Sequence, residues 1–456
     1  MMKPILGSLF ILSLILYVSN VDLGVWTGLI ILFTALSIIN FVNCLKQTVP
    51  FGELIALMYL VQNTVALTLL NVLKGDELKV GDDFYTRVSL EEYIPFSFLT
   101  CQALLLGYTV VKIPPEPWLN FLTNFREIIK KESLFYIFIL GAIGTVIQSF
   151  NISALSYVTY TLTNFFSCAL IGLALYYRSI TNIYFVAGLA LNLYGVMRSG
   201  MFGSFTYFIL YTSLIFLTQK ILSTRKFNYL LFSIIGIVGI WALALLQNIK
   251  TDYRNVIWLG NEDGNSGAFY NSFQRILQEQ DPMSVEYYLP ILHRLNQAWL
   301  VSAAMEKVPE SVPFYNGLTI LTSVRDAFIP RVLNPEKEEA GGRQKIETFT
   351  NIVLVEGTSM NIGLLGESYV NFGKLGAVFF MFLYGTAIGW FMRKVLTLSL
   401  ENPLILVLFP IFFEILVGSE ADFLSLINGV VKNAFFMYLI IRFISTRVSD
   451  RDPAIG

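Results

Sequence analysis

GLLGESYVNFGKLGAVFFMFLYGTAIGWFMRK, residues 363–394, changes character near its middle. Its first part carries a carboxylate, a phenol, an amide and a lysine, and the run from Gly373 to Met392 is almost wholly apolar. That run is close to the ~20 residues a helix needs to cross the hydrocarbon core of a bilayer. The apolar residues are continuous rather than alternating, which favours a helix over a barrel strand, and a helix satisfies its own backbone hydrogen bonds in lipid.

The same pattern recurs along the chain. Twelve spans are expected, at 4–19, 22–42, 52–73, 94–112, 134–150, 160–177, 182–197, 203–219, 228–247, 373–392, 403–418 and 430–446. The composition agrees: 55% of the 456 residues are hydrophobic and 14% charged, with a mean hydropathy of +0.64, outside the balance of a soluble domain. The expected fold is an all-α integral membrane bundle of about 12 transmembrane helices. Its parts are residues 1–247 with nine spans, a large loop at 248–372, and residues 373–456 with three spans and a tail. MMKPILGSLFILSLILYVSN at the start imitates a signal peptide but lacks an A-x-A cleavage pattern, so it reads as a retained first helix.

Orientation follows from basic residues in the short loops. With the N-terminus cytoplasmic, that side receives fifteen, among them Lys46, Arg126, Lys131, Arg225, Arg393 and Arg447, and the other side only Lys74, Lys79, Arg87, Arg198 and Lys432. Both termini are therefore expected inside and the long loop outside. Within that loop FYNSFQRILQEQ and PILHRLNQAWLVSAAMEKV have helical spacing and predict short helices on the bundle or at the interface. PRVLNPEKEEAGGRQKIETFTN is polar and punctuated by Pro and Gly, and reads as an outer loop.

The net charge of −1 gives no bias toward nucleic acid, so any anion site must come from local placement of arginines. Three cysteines without a CxxC, and a single histidine, indicate neither a disulfide framework nor a zinc site. Gly81-Asp82-Asp83 reads as a turn. Arg198 sits at an outer span boundary, where it either faces a cavity or snorkels, with Gly200 and Gly203 permitting close backbone approach. Arg294 is one of several loop arginines whose guanidinium forks suit phosphate oxygens. His293 beside it can act as a base or orient a phosphate, or simply pack. Glu367 can take a proton from a hydroxyl while Tyr369 and Asn371 bond or stack against a sugar; equally, Glu367 caps a helix and Tyr369 and Phe372 anchor it in the interface.

Four elements in order, Arg198 near a span boundary, Arg294, IPRVLNPEK at 329–337 and GESYVNFGKLG at 366–376, resemble the oligosaccharide repeat-unit polymerases, the O-antigen polymerase (Wzy-like) family. The resemblance implies a GT-C-like integral-membrane glycosyltransferase of the bacterial cytoplasmic (inner) membrane. Such an enzyme joins polyprenyl-diphosphate-linked oligosaccharide repeat units on the outer face, for O-antigen, capsule or exopolysaccharide, without a metal, nucleotide sugar or other cofactor. It implies a lipid-linked donor and acceptor as partners, together with a chain-length regulator. Arg294, Arg331, Arg198 and Lys337 would then hold the donor diphosphate, Glu367 would orient or deprotonate the acceptor hydroxyl, and Tyr369 and Asn371 would position sugar. An O-antigen ligase and a lipid-linked oligosaccharide flippase or transporter are the competing readings.

Overall fold

The computed structural model describes residues 2–19, 21–74, 85–148, 156–199, 202–256, 266–329, 342–354 and 359–449. All regular structure among them is helical, with no strand. Nine of these helices are long and apolar enough to cross a membrane: Leu23–Leu45, Phe51–Lys74, Leu90–Val110, Lys131–Gln148, Tyr157–Tyr177, Gly203–Thr224, Tyr229–Arg254, Gly363–Ser399 and Phe423–Arg447. Three further apolar helices, Lys3–Val18, Ile183–Tyr194 and Leu404–Val417, are shorter. Each coincides with an expected span; the last is divided where Pro410 opens a new helix after Phe409.

Close packing fixes the centre of the bundle. Helices Leu90–Val110 and Gly363–Ser399 approach so nearly that a Cβ on Gly385 would lie 2.0 Å from the Leu104 carbonyl oxygen, and one on Gly107 2.0 Å from that of Phe382. In an apolar solvent, where burying apolar surface gives no advantage, such small-residue contact is how helices associate. Thr386 Oγ1 adds a 3.2 Å bond to the Gly107 carbonyl.

Two irregularities inside spans prepare the site. The Phe51–Lys74 helix widens to a π turn at Val61–Val65, and the displaced Gln62 carbonyl accepts from the Gln297 backbone N–H at 2.9 Å. Such turns let an intramembrane carbonyl find a partner outside its own helix. The second lies in the stretch 363–394: Gly373 adopts φ +66°, a conformation glycine takes without steric cost, and interrupts the helix. Carbonyls around this break are taken by the loop, Val370 by the Tyr315 N–H and Asn371 by the Asn316 N–H, both at 3.0 Å. The expected span thus begins at the break, and a separate helical piece, 363–372, sits ahead of it.

The loop between Arg254 and Gly363 contains the expected helices Ser266–Glu279, Leu289–Leu295 and Ala298–Lys307, and two more at Leu318–Phe328 and Arg343–Phe349. Residues 343–349 were expected as polar loop; Ile346 and Phe349 are buried and hold them as a helical turn on the bundle.

Candidate functional site

At the end of the bundle from which the long loop rises lies a cavity of about 1200 Å³. Gly203, Ser204 and Tyr207 line it from the start of one span, Lys250 and Arg254 from the end of another, His293 and Arg294 from a loop helix, and Glu414 and Glu420 from the last turn and tail of Leu404–Val417. The expected span 228–247 continues as helix to Arg254. Lys250 and Arg254, four residues apart, therefore share one face of that extension. Both are within electrostatic reach of Arg294. Two arginines, a lysine and a histidine thus meet two acidic side chains.

The carboxylates are held differently. Glu420 takes Arg294 Nη2 on both oxygens, each at 2.8 Å, across 126 residues of sequence. Glu414 accepts from Ser204 Oγ at 2.7 Å, and Tyr160 also lines the wall. Trp299, Gln247, Gln297 and Asn361 supply an indole and amides of the kind that receive sugar rings and hydroxyls. A Cβ at Gly203 would meet nothing within 4 Å. That glycine keeps the cavity wall open rather than allowing a backbone contact, contrary to the expectation.

Behind the wall lies a buried ionic cluster. Lys345 Nζ donates to Glu367 Oε1 at 2.7 Å and to Asp422 Oδ2 at 2.8 Å. The three residues are 3%, 0% and 1% exposed. Glu367 Oε2 accepts the Phe423 N–H at 2.6 Å and Asp422 Oδ1 the Ser425 N–H at 2.9 Å, so both carboxylates cap the start of the last span. Anions are favoured at that end of a helix. Ser419 joins the same framework through its N–H and hydroxyl, which donate to Gln62 Oε1 at 3.0 and 2.5 Å. The short link Gly418–Asp422 is therefore pinned at Ser419, Glu420 and Asp422, by three partners from distant parts of the chain.

The residues expected from sequence fall into three groups. Arg294 and His293 line the cavity. Glu367, Tyr369 and Asn371 do not line it; they are buried behind it. Both oxygens of Glu367 are engaged as described. Tyr369 packs between the rings of Phe96 and Phe314 and donates to the Val308 carbonyl at 2.9 Å, so it is buried in protein and not exposed as an anchoring ring. Asn371 bonds the Gly317 N–H at 3.0 Å and Thr319 Oγ1 at 2.7 Å, tying the loop helix to the break at Gly373. Arg331, Lys337 and the Gly81-Asp82-Asp83 turn lie outside the described residues. Arg198 is in the helix Ile183–Ser199, and its side chain is outside what is described.

A second hollow, of about 250 Å³, lies at the opposite end of the bundle between Lys3, Cys44, Glu53, Tyr108 and Trp118. Tyr108 and Cys44 both donate to the Glu53 carboxylate at 3.4 Å. It is too small for a large ligand, and its polar groups serve one another.

Fold and site together define a multi-pass α-helical membrane protein with a large cavity at one end of its bundle, in which charged side chains of both signs stand among apolar ones. The chain belongs to the family described as Domain of unknown function (DUF8712), whose model matches residues 118–448. That range includes every residue lining the larger cavity and the whole Lys345–Glu367–Asp422 cluster. No curated protein and no solved structure matches the chain.

Proposed function

We propose that the protein is a polysaccharide polymerase, a glycosyltransferase that joins polyprenyl-diphosphate-linked oligosaccharide repeat units at the outer face of the cytoplasmic membrane. The observation that carries the reading is the cavity of about 1200 Å³ in which Lys250, Arg254, His293 and Arg294 meet Glu414 and Glu420. It exceeds the roughly 300–1,000 Å³ typical of small-molecule sites. It offers cationic groups to a diphosphate and carboxylates to a sugar hydroxyl, the two needs of transfer from a lipid diphosphate. In this reading the three shorter apolar helices also cross, making twelve crossings in a GT-C-like bundle, and with that number the basic residues of the short loops support both termini inside and the cavity outside.

In this reading the donor diphosphate displaces Glu420 from Arg294, a guanidinium being as well matched to phosphate as to carboxylate. Binding thereby frees a carboxylate beside the reacting centre. The acceptor hydroxyl oxygen bonds to the donor sugar's anomeric carbon, its proton passes to Glu420, and the bond from that carbon to the diphosphate oxygen breaks. Negative charge grows on the departing polyprenyl diphosphate, where Lys250, Arg254 and Arg294 stabilise it. Arg331, Lys337 and Arg198 belong to the same reading as further phosphate contacts. Glu367 acts as a positioning residue: through Lys345 and the start of the last span it holds the link that carries Glu420.

The test is purified protein in liposomes with a synthetic lipid-linked repeat unit. A ladder of lengthened lipid-linked products is expected, and it disappears in Arg294→Ala and Glu420→Gln. Movement of the lipid-linked unit across the bilayer with no lengthening would make the protein a transporter. In cells lacking it, accumulation of single-unit glycans supports a polymerase; accumulation of long lipid-linked polymer would make it a ligase.

A further inference from the structure

The helix Leu318–Phe328 is built inside out for a loop element in water. Its buried face is polar, formed by Thr319, Ser323 and Asp326, and packs against the last span. The opposite face presents Leu318, Leu321, Val324 and Phe328 to the surroundings, with Leu321 68% and Phe328 67% exposed. An amphipathic helix on a soluble surface turns these faces the other way. The single charge on the outer face, Arg325, donates from Nε to Asp326 at 2.8 Å.

We propose that this helix lies in the membrane, its apolar face against lipid at the end of the bundle that holds the large cavity. Continuity with the lipid-facing surface of a span identifies the occupant. Asn371 ties the start of the helix to the break at Gly373, and the adjoining Phe372 ring stands 3.2 Å from where a Cβ on Gly317 would be. From there Leu375 and Phe379, four residues apart on the neighbouring span, extend the same exposed apolar surface. At a rise of about 1.5 Å per residue the helix is ~16 Å long. That is about half the ~30 Å hydrocarbon thickness, so the helix rests in the boundary region without crossing. An arginine paired within its own turn suits that depth, where its head reaches the headgroups.

Single cysteines at Leu321→Cys and Phe328→Cys, in a background with Cys44, Cys101 and Cys168 replaced by alanine, would carry a nitroxide label. The full-length protein would be placed in phosphatidylcholine–phosphatidylglycerol nanodiscs. Phe379→Cys, on the exposed surface of a span, and Met283→Cys, 91% exposed in the loop, are the two references. Both helix labels are expected to relax with membrane oxygen in preference to a water-soluble nickel chelate, as at Phe379. Preference for nickel, as at Met283, would place the face in water and overturn the proposal. Dipolar broadening between labels would show a second copy covering the face and would overturn it as well. The measurement reads no enzymatic activity, so it stands or falls independently of the polymerase reading.

Discussion

Replacing Lys345 with methionine tests the architecture behind the cavity. The side chain keeps its length and loses its ammonium, leaving Glu367 and Asp422 facing one another with 0% and 1% of their surfaces exposed. Removing one partner of a buried ion cluster costs about 3–5 kcal/mol, because the charge left behind is neither hydrated nor paired. Here each carboxylate keeps one backbone donor, the Phe423 and Ser425 N–H groups, which argues for the lower end, ~3 kcal/mol. At about 1.4 kcal/mol per factor of ten, that raises the unfolded fraction roughly a hundredfold. Adding Glu367→Gln and Asp422→Asn to Lys345→Met removes the stranded charges, so the triple variant should recover much of the loss. An unfolding titration with SDS in bicelles reads both steps. A Lys345→Met protein as stable as the unsubstituted chain, or a triple variant less stable than Lys345→Met alone, would refute the assignment of this cluster as a buried charge junction.

Arg294→Ala should behave in the opposite way: the half-exposed pair with Glu420 contributes no more than about 1 kcal/mol, so expression and unfolding midpoint should hold while the polymer ladder is lost on a gel. Arg294→Lys keeps the charge without the fork and should restore only part of it. Asn371→Ala strips partners from the Gly317 N–H and Thr319 Oγ1, with an expected loss of about 1–3 kcal/mol in the same titration. Gly385→Val drives a side chain into the Leu104 carbonyl 2.0 Å away; overpacking at about 1–3 kcal/mol should lower the unfolding midpoint and raise proteolysis in the membrane.

The spans were legible because lipid leaves a chain little choice: backbone groups must be satisfied within the helix, and a long apolar run announces that solution. Even the break at Gly373 falls where the apolar run begins, since a left-handed turn there calls for glycine. The cavity was legible only in part. Arg294 and His293 stood in a loop helix with recognisable spacing. Lys250 and Arg254 were obscured because the expected span stopped at 247, although their separation by four residues is the signal that one helix carries both. Glu414, Glu420 and Asp422 were missed altogether. They lie at the end of an apolar segment and in the short link after it, and their roles depend on partners 210, 126 and 77 residues away. Lys345 looked like one more charge in a polar loop; Ile346 and Phe349 beside it were the signs that the segment packs. The buried polar face of Leu318–Phe328 escaped notice because apolar residues on a helix do not say whether the surroundings are protein or lipid.

The junction of Lys345, Glu367 and Asp422 also imposes an order on biosynthesis. A ribosome releases residues 345 and 367 well before it reaches Asp422, so the lysine emerges with half its final company, and Glu367 waits for the last helix that it and Asp422 will cap. Glu420 comes with that same late segment. A nascent chain halted before residue 418 would hold most of its spans and yet lack one wall of the cavity, which makes completion of the C-terminal helix the event that turns an inserted protein into one with a finished site.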